Sequence, residues 1–330
     1  MLKKIKIPFV SLLTIVILFV FMIAGCSSKQ SVAPKQNEVI RIGYINLISM
    51  APAIIAEKQN LMQKQGIKAE FYSFGNGPDL NKALTSGKVD FAYTGIPVAV
   101  NWASRGADIE VIAKVGDGKF GLLTKDNPTT SQTFDLKGKK IGFLGKGTGS
   151  DILIRGFLLP EEHLEENSVN LVEMTMTNME QSLINNTIDA ALAGEPYVTF
   201  AELRGLKVVK QLPDPAIVVL VGKSFAKEHG DLVEKFIQGH LASISYINEH
   251  PKESAEVLSK SFNVPEIKAE GKTWTPAEAM EKAMTKHQFA AKFSGDDIKF
   301  YQQIADANLR LKLIDKPFDI NSIMNLTWIK

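Results

Sequence analysis

The chain has 330 residues, 45% hydrophobic and 22% charged, with a formal net charge of +2. That length holds one large or two medium domains with a real core, and a near-neutral balance without a basic cluster argues against nucleic acid as a partner. The single cysteine, Cys26, leaves no disulfide and no thiol nucleophile beyond that position.

Met1-Leu2-Lys3-Lys4-Ile5-Lys6 leads into an apolar stretch that stops at Ile23-Ala24-Gly25-Cys26-Ser27-Ser28. Lysines followed by a short apolar run are the first two regions of an export signal. The small residues before the cysteine resemble the lipobox of bacterial lipoproteins, with Ile23 where Leu is usual. The resemblance implies cleavage before Cys26 and acylation of its sulfur. Residues 1–25 are then a signal peptide, and the mature protein is expected on the extracytoplasmic face of a cell membrane, held by a lipid anchor. The competing reading is a transmembrane anchor, because Ile7 to Ala24 number 18 residues, the lower edge for a span. The Ala-Gly-Cys ending and the polar segment behind it favour cleavage. Two or more acyl chains anchor a protein stably. Residues 26–37 are polar, include Pro34, and read as a flexible tether with a reach of roughly 20 Å.

Strands then alternate with helices. Val39 to Tyr44 reads as a strand, Pro52 to Gln59 as a helix, Lys68 to Ser73 as a strand and Asp79 to Thr85 as a short helix. Val89 to Tyr93 (strand), Pro97 to Ser104 (helix) and Ile109 to Lys114 (strand) follow. Such spacing implies βαβ units and a mainly parallel sheet. The grammar restarts at Asp135-Leu136-Lys137-Gly138-Lys139-Lys140. Strands are expected at Ile141 to Leu144, Val169 to Met174, Ile188 to Leu192 and Lys207 to Gln211, with helices from Ser150, Met179 and Val198. Two apolar runs, Phe120 to Thr124 and Ala216 to Val221, are placed to cross between two lobes as hinge strands. The tail, Ser224 to Asn248, Pro251 to Ser261, Pro276 to Phe289 and Asp296 to Leu311, reads as amphipathic helices returning to the first lobe. The expected division is 38–122 for lobe 1, 123–215 for lobe 2 and 216–330 for the return.

An ordered series of motifs carries a second resemblance. Arg41-Ile42-Gly43-Tyr44, Ser73-Phe74-Gly75-Asn76-Gly77-Pro78, Ser86-Gly87-Lys88-Val89-Asp90-Phe91 and Thr94-Gly95-Ile96-Pro97 come first. Asp135-Leu136-Lys137-Gly138-Lys139-Lys140-Ile141, Ile188-Asp189-Ala190 and Gly194-Glu195-Pro196-Tyr197 complete it. In this order the series resembles the nitrate/sulfonate/taurine group of substrate-binding proteins of ABC transporters. The resemblance implies a two-lobed α/β fold of the periplasmic-binding-protein type II kind, with each lobe a mainly parallel sheet flanked by helices. It implies a monomer that captures a small anion or zwitterion and delivers it to an ABC permease driven by its ATPase. It implies no cofactor. Two other functions keep the fold: an enzyme of the menaquinone-pathway or pyrimidine-synthesis type, or a solute receptor for signalling.

Ligands in open parallel sheets sit beyond the carboxyl ends of the strands. Those ends point to Asn46, Ser49, Gly75, Asn76, Gly77, Thr94, Gly95, Lys146, Thr148, Gly149, Ser150, Asn178, Glu195 and Tyr197 as candidate ligand-binding residues. Helix N-termini there offer unpaired N–H groups and a positive dipole end to an anion. Gly75 and Gly77 would admit close backbone approach, and Ser and Thr would add hydroxyl donors. Each of these residue types also caps helices and forms turns. Glu195 would repel an oxyanion, so it either faces a ligand ammonium or pairs with Arg155 or a lysine. Phe71, Tyr72, Phe74, Tyr93 and Tyr197 could wall the cleft, with about half expected in the core by alternation.

Gly142 to Ser150 fails both nucleotide patterns. Gly147 interrupts the Gly-Lys-Ser/Thr of a P-loop, and Ser150 stands where a dinucleotide loop needs its last glycine. His163, His229, His240, His250 and His287 are scattered, are expected mostly on charged surface helices, and form no metal-ligand spacing. No Gly-x-Ser-x-Gly elbow is present.

Overall fold

The computed structural model describes residues 39–125, 134–214, 216–269 and 271–329. The expected signal peptide, Cys26 and the tether lie outside the described residues.

The first lobe begins with strand β1 (Val39–Ile45), helix α1 (Ala51–Lys58), strand β2 (Lys68–Phe74), helix α2 (Gly77–Thr85), strand β3 (Phe91–Gly95), helix α3 (Ile96–Ser104) and strand β4 (Ile109–Lys114). Helices α1, α2 and α3 each carry a proline in the first turn. Proline is tolerated there because its missing N–H has no partner in the helix anyway. A short strand β5 (Gly116–Asp117) leads into β6 (Lys119–Thr124), where the second lobe starts. It continues with β7 (Lys140–Phe143), a helix α4 over residues 149–161 with a π-wound middle (Ile152–Leu158), and β8 (Asn170–Glu173). Helix α5 (Met176–Ile184), β9 (Ala190–Ala193), α6 (Tyr197–Leu203) and β10 (Lys207–Pro213) complete it. Strand β11 (Ile217–Gly222) returns the chain to lobe 1. Helices α7 (Lys223–Glu228), α8 (Gly230–Glu249) and α9 (Pro251–Ser261), the hairpin β12 (Ile267–Ala269) and β13 (Lys272–Trp274), α10 (Pro276–Met284), β14 (Gln288–Phe289) and α11 (Gly295–Arg310) follow.

The lobe 1 sheet has the order β2-β1-β3-β11-β4, and the lobe 2 sheet β10-β6-β9-β7-β8. In the first, β1 is parallel to β2 and β3, while β11 is antiparallel to β3 and β4. In the second, β7 is parallel to β8 and β9, while β6 is antiparallel to β9 and β10. Both sheets thus share one plan, with a single antiparallel strand next to one end. That strand is the one reached directly from the other lobe. The two apolar runs are strands, as expected, but each pairs wholly within one sheet, so the chain passes between lobes at residues 115–118 and again after β10. Lobe 2 accordingly starts at β6 rather than at residue 123.

Apolar clusters lie on both faces of the lobe 1 sheet and within lobe 2. The lobes also share core. Leu47 of lobe 1 belongs to the lobe 2 cluster, and Ile152 and Phe200 of lobe 2 belong to lobe 1 clusters.

Several local expectations are corrected. The 224–248 helix breaks at His229 into α7 and α8, and short strands β12, β13 and β14 interrupt the helical tail. Two histidines sit off the charged surface, His240 fully buried and His287 half-buried. His240 bonds the Tyr93 hydroxyl at 2.9 Å and the Lys114 carbonyl at 2.9 Å. Burial pulls its pKa down to about 4. His287 packs against Gly116 and Gly118, and burial with the Lys114 charge pulls it down to about 3.

Candidate functional site

A cavity of about 320 Å³ opens between the lobes at the carboxyl ends of the strands. From lobe 1 it is lined by Ile45, Asn46 and Leu47 after β1 and by Ser73, Phe74 and Gly75 at the end of β2. From lobe 2 it is lined by Leu144 after β7, Thr175, Met176 and Thr177 at the start of α5, and Tyr197 at the start of α6. This wall contains no Asp, Glu, His, Lys or Arg among the described residues. Its polar groups are hydroxyls, one amide and the N–H groups of helix starts. Thr175 and Thr177 hold each other at 2.9 Å, Oγ1 to Oγ1. Burial raises the Tyr197 pKa, so its phenol is a neutral donor and acceptor near pH 7.

The candidates from sequence therefore divide. Asn46, Gly75 and Tyr197 line the cavity. Asn76 caps α2, its Oδ1 accepting the Asp79 N–H at 2.9 Å. Gly77 lacks a side chain for packing reasons, since a Cβ there would stand 2.9 Å from Val98 Cγ2. Thr94 and Gly95 end β3, and Gly95 is the N-cap of α3. The Thr94 hydroxyl is fully buried without a hydrogen-bond partner among the described residues. It sits 3.5 Å from the position a Gly77 Cβ would occupy, between the starts of α2 and α3. Ser49 is buried in the single helical turn before α1.

The lobe 2 loop corrects the expectation most. Several of its donors are already used. The Leu144 N–H donates to Ser150 Oγ at 3.0 Å, the Gly147 N–H to Asp151 Oδ2 at 2.7 Å, and the Thr148 hydroxyl to the Gly145 carbonyl at 2.6 Å. Asp151 in turn takes two donors from Arg155, including Nε at 2.6 Å. A Cβ on Gly145 would lie 2.5 Å from the Glu173 carboxyl carbon, so a carboxylate rests on the loop. Thr148 is thus the helix cap and Ser150 ties the loop back to Leu144, and neither they nor Gly149 line the cavity. Lys146 and Asn178 are exposed and stand outside it.

Glu195 pairs with a lysine, and the lysine is Lys286, 3.2 Å from Oε1. Arg155 is instead taken by Asp151 and Glu166. Glu195 Oε2 accepts the Thr199 N–H at 3.0 Å. Burial pushes the Glu195 carboxyl up, and the Lys286 charge and the Thr199 N–H oppose that shift. Among the aromatic candidates Phe74 and Tyr197 line the cavity, Tyr72 is 42% exposed, and Tyr93 is core. Thr177 was among the strand ends read from sequence, whereas Ser73, Thr175 and Met176 were missed. Ser73 was visible as the last residue of a strand, but the others depended on where β8 stops.

A protein-family model described as "NMT1/THI5 like" matches residues 47–254. A relative from Bacillus subtilis (strain 168) named "Putative aliphatic sulfonates-binding protein" is 27% identical, covering 96% of this chain and 95% of its own length. The crystal structure of the periplasmic aliphatic sulphonate binding protein from Escherichia coli superposes with a TM-score of 0.71 at 21% identity, covering 87% of this chain and 97% of that one. The alkanesulfonate-binding protein from Xanthomonas axonopodis pv. citri bound to MOPS gives 0.71 at 19%, covering 88% and 98%. The fold is that of a type II periplasmic binding protein.

Proposed function

The chain belongs to the NMT1/THI5-like family, and we infer that it is an extracytoplasmic solute-binding protein of an ABC importer. It binds rather than transforms its ligand. It captures a small anionic or zwitterionic solute in the interlobe cleft and hands it to a membrane permease and its ATPase. Cys26 carries the lipid anchor that keeps it at the extracytoplasmic face.

The observation that carries this reading is the cavity of about 320 Å³ lined from both lobes at the strand ends. Its size exceeds what a bare nitrate fills. Its wall pairs apolar surface from Leu47, Phe74, Leu144 and Met176 with hydroxyls from Ser73, Thr175, Thr177 and Tyr197. Such a wall suits a small organic anion with an apolar body, such as an alkanesulfonate, whose oxygens accept hydroxyl and helix-start N–H donors. Asn46, Gly75 and Tyr197 are the sequence candidates retained as ligand contacts. Glu195, held by Lys286, is not among them, so a ligand ammonium has no carboxylate waiting for it.

Native mass spectrometry of the protein with alkanesulfonates, taurine and nitrate tests the reading. A one-to-one complex with an alkanesulfonate, surviving competition from nitrate, is expected. No complex with any organic anion in the panel would overturn it.

A further inference from the structure

Glu195 stands at the point where lobe 2 grips lobe 1. Its backbone carbonyl accepts the Ile48 N–H of lobe 1 at 3.1 Å. Its side-chain Oε1 lies 3.2 Å from Lys286 Nζ, just beyond α10 in lobe 1. Its Oε2 is fixed by the Thr199 N–H at the start of α6. Lys286 reaches a second lobe 2 carboxylate, Glu202 on α6, in a short contact. One residue of lobe 2 therefore holds lobe 1 at two separate places, and one lysine of lobe 1 holds lobe 2 at two carboxylates.

These contacts sit beside the ligand cavity without entering it. Ile48 is two residues past Asn46 and Tyr197 is two residues past Glu195, and both Asn46 and Tyr197 line the cavity. The ion pair instead borders a separate cavity of about 450 Å³, walled by Lys119, Gln211 and Gln288 among others. Glu195 is 8% exposed, so its carboxylate is costly to bury without the lysine. Lys286 is more open, so the attraction is partly screened by salt.

We propose that Glu195 and Lys286 form an interlobe latch, setting the closed fraction of the protein and thereby its ligand affinity without touching the ligand. They are positioning residues. The affinity part rests on the solute-binding reading, but the latch itself does not. If binding needs the closed form, apparent affinity falls by the factor by which the closed fraction falls.

The test measures interlobe distance by electron spin resonance. Spin labels go on Lys82→Cys in α2 and Gln181→Cys in α5, both exposed, in the full chain carrying Cys26→Ser. Distances are recorded with and without hexanesulfonate, in 50 mM and 500 mM salt. The short-distance population should fall at least about twofold in Lys286→Met, with hexanesulfonate affinity falling in proportion. Lys286→Arg should retain it, and added salt should shrink it in the parent but not in Lys286→Met. Lys286→Met leaves a buried carboxylate alone, so the Glu195→Gln/Lys286→Met double variant checks the result without an unpaired charge. An unchanged distance distribution in the double variant would overturn the latch, as would the absence of any short-distance population in the parent under both conditions. Failure of hexanesulfonate to bind the parent would count against the solute-binding reading, while the ligand-free distances would still decide the latch.

Discussion

Buried and half-buried groups near the passages between lobes give this protein a distinctive dependence of stability on pH. Burial, reinforced by the Asp117 charge, pushes Asp214 up to about 7. An unfolded aspartate titrates near 3.9, so from about pH 4 to 7 the native state holds a proton that the unfolded state lacks. Stability from Asp214 is therefore fully present below about pH 4 and is lost as pH rises through 7, at about 1.4 kcal/mol per pH unit. His240 and His287 have the opposite sign. Their native pKa values lie at about 4 and about 3, below the unfolded value. Each contributes stability that is present above about pH 6.5 and is lost as pH falls, again at about 1.4 kcal/mol per unit. Between about pH 4 and 6.5 the two imidazoles outweigh the one carboxyl, and these groups together make stability rise with pH by about 1.4 kcal/mol per unit. Asp214→Asn removes the opposing contribution, and the slope steepens by about the same amount. His240→Gln flattens it by as much. Urea unfolding at half-unit steps from pH 4.5 to 7.5, extrapolated linearly, reads these slopes. A Asp214→Asn variant whose slope matches the parent would refute the burial of a protonated carboxyl at this position.

Three further outcomes are expected. Ser150→Ala removes the acceptor of the Leu144 N–H, so stability falls by about 1 kcal/mol while alkanesulfonate affinity, read by calorimetry, stays within about twofold; a tenfold loss of affinity with stability intact would return Ser150 to the ligand. Arg155→Met strips a buried partner from Asp151 and lowers stability by about 3 kcal/mol in urea unfolding, and a loss under about 1 kcal/mol would mean that Asp151 finds other donors. Phe74→Ala removes apolar cavity wall, so affinity for hexanesulfonate falls more than affinity for methanesulfonate, and equal losses would place the ligand's carbon chain elsewhere.

The fold was legible because periodicity and punctuation agree along most of the chain. The prolines that open α1, α2 and α3, and the apolar run that becomes β11, mark elements whose ends differ from the sequence reading by one or two residues, a normal uncertainty at element ends. What sequence could not supply was which sheet β6 joins, because an apolar run looks the same whether it crosses between lobes or pairs within one. The site was half legible. The lobe 1 loops followed from strand ends and glycines. The lobe 2 loop did not, because Thr148, Ser150 and Asp151 look alike as ligand donors and as caps, and only geometry shows their hydrogen bonds spent on Leu144, Gly145, Gly147 and Arg155. The partner of Glu195 lay 91 positions away in Lys286, beyond any local pattern.

The most direct test of the central claim is a calorimetric titration of the protein with a series of alkanesulfonates, run in parallel on Tyr197→Phe and on a Ser73→Ala/Thr177→Ala pair. One site per chain is expected, with affinity rising with chain length until the cavity of about 320 Å³ is full. Each lost hydroxyl contact to the charged headgroup should weaken binding by about 10-fold or more. Full affinity in both variants, or no heat with any sulfonate, would contradict capture of an organic anion in the interlobe cleft.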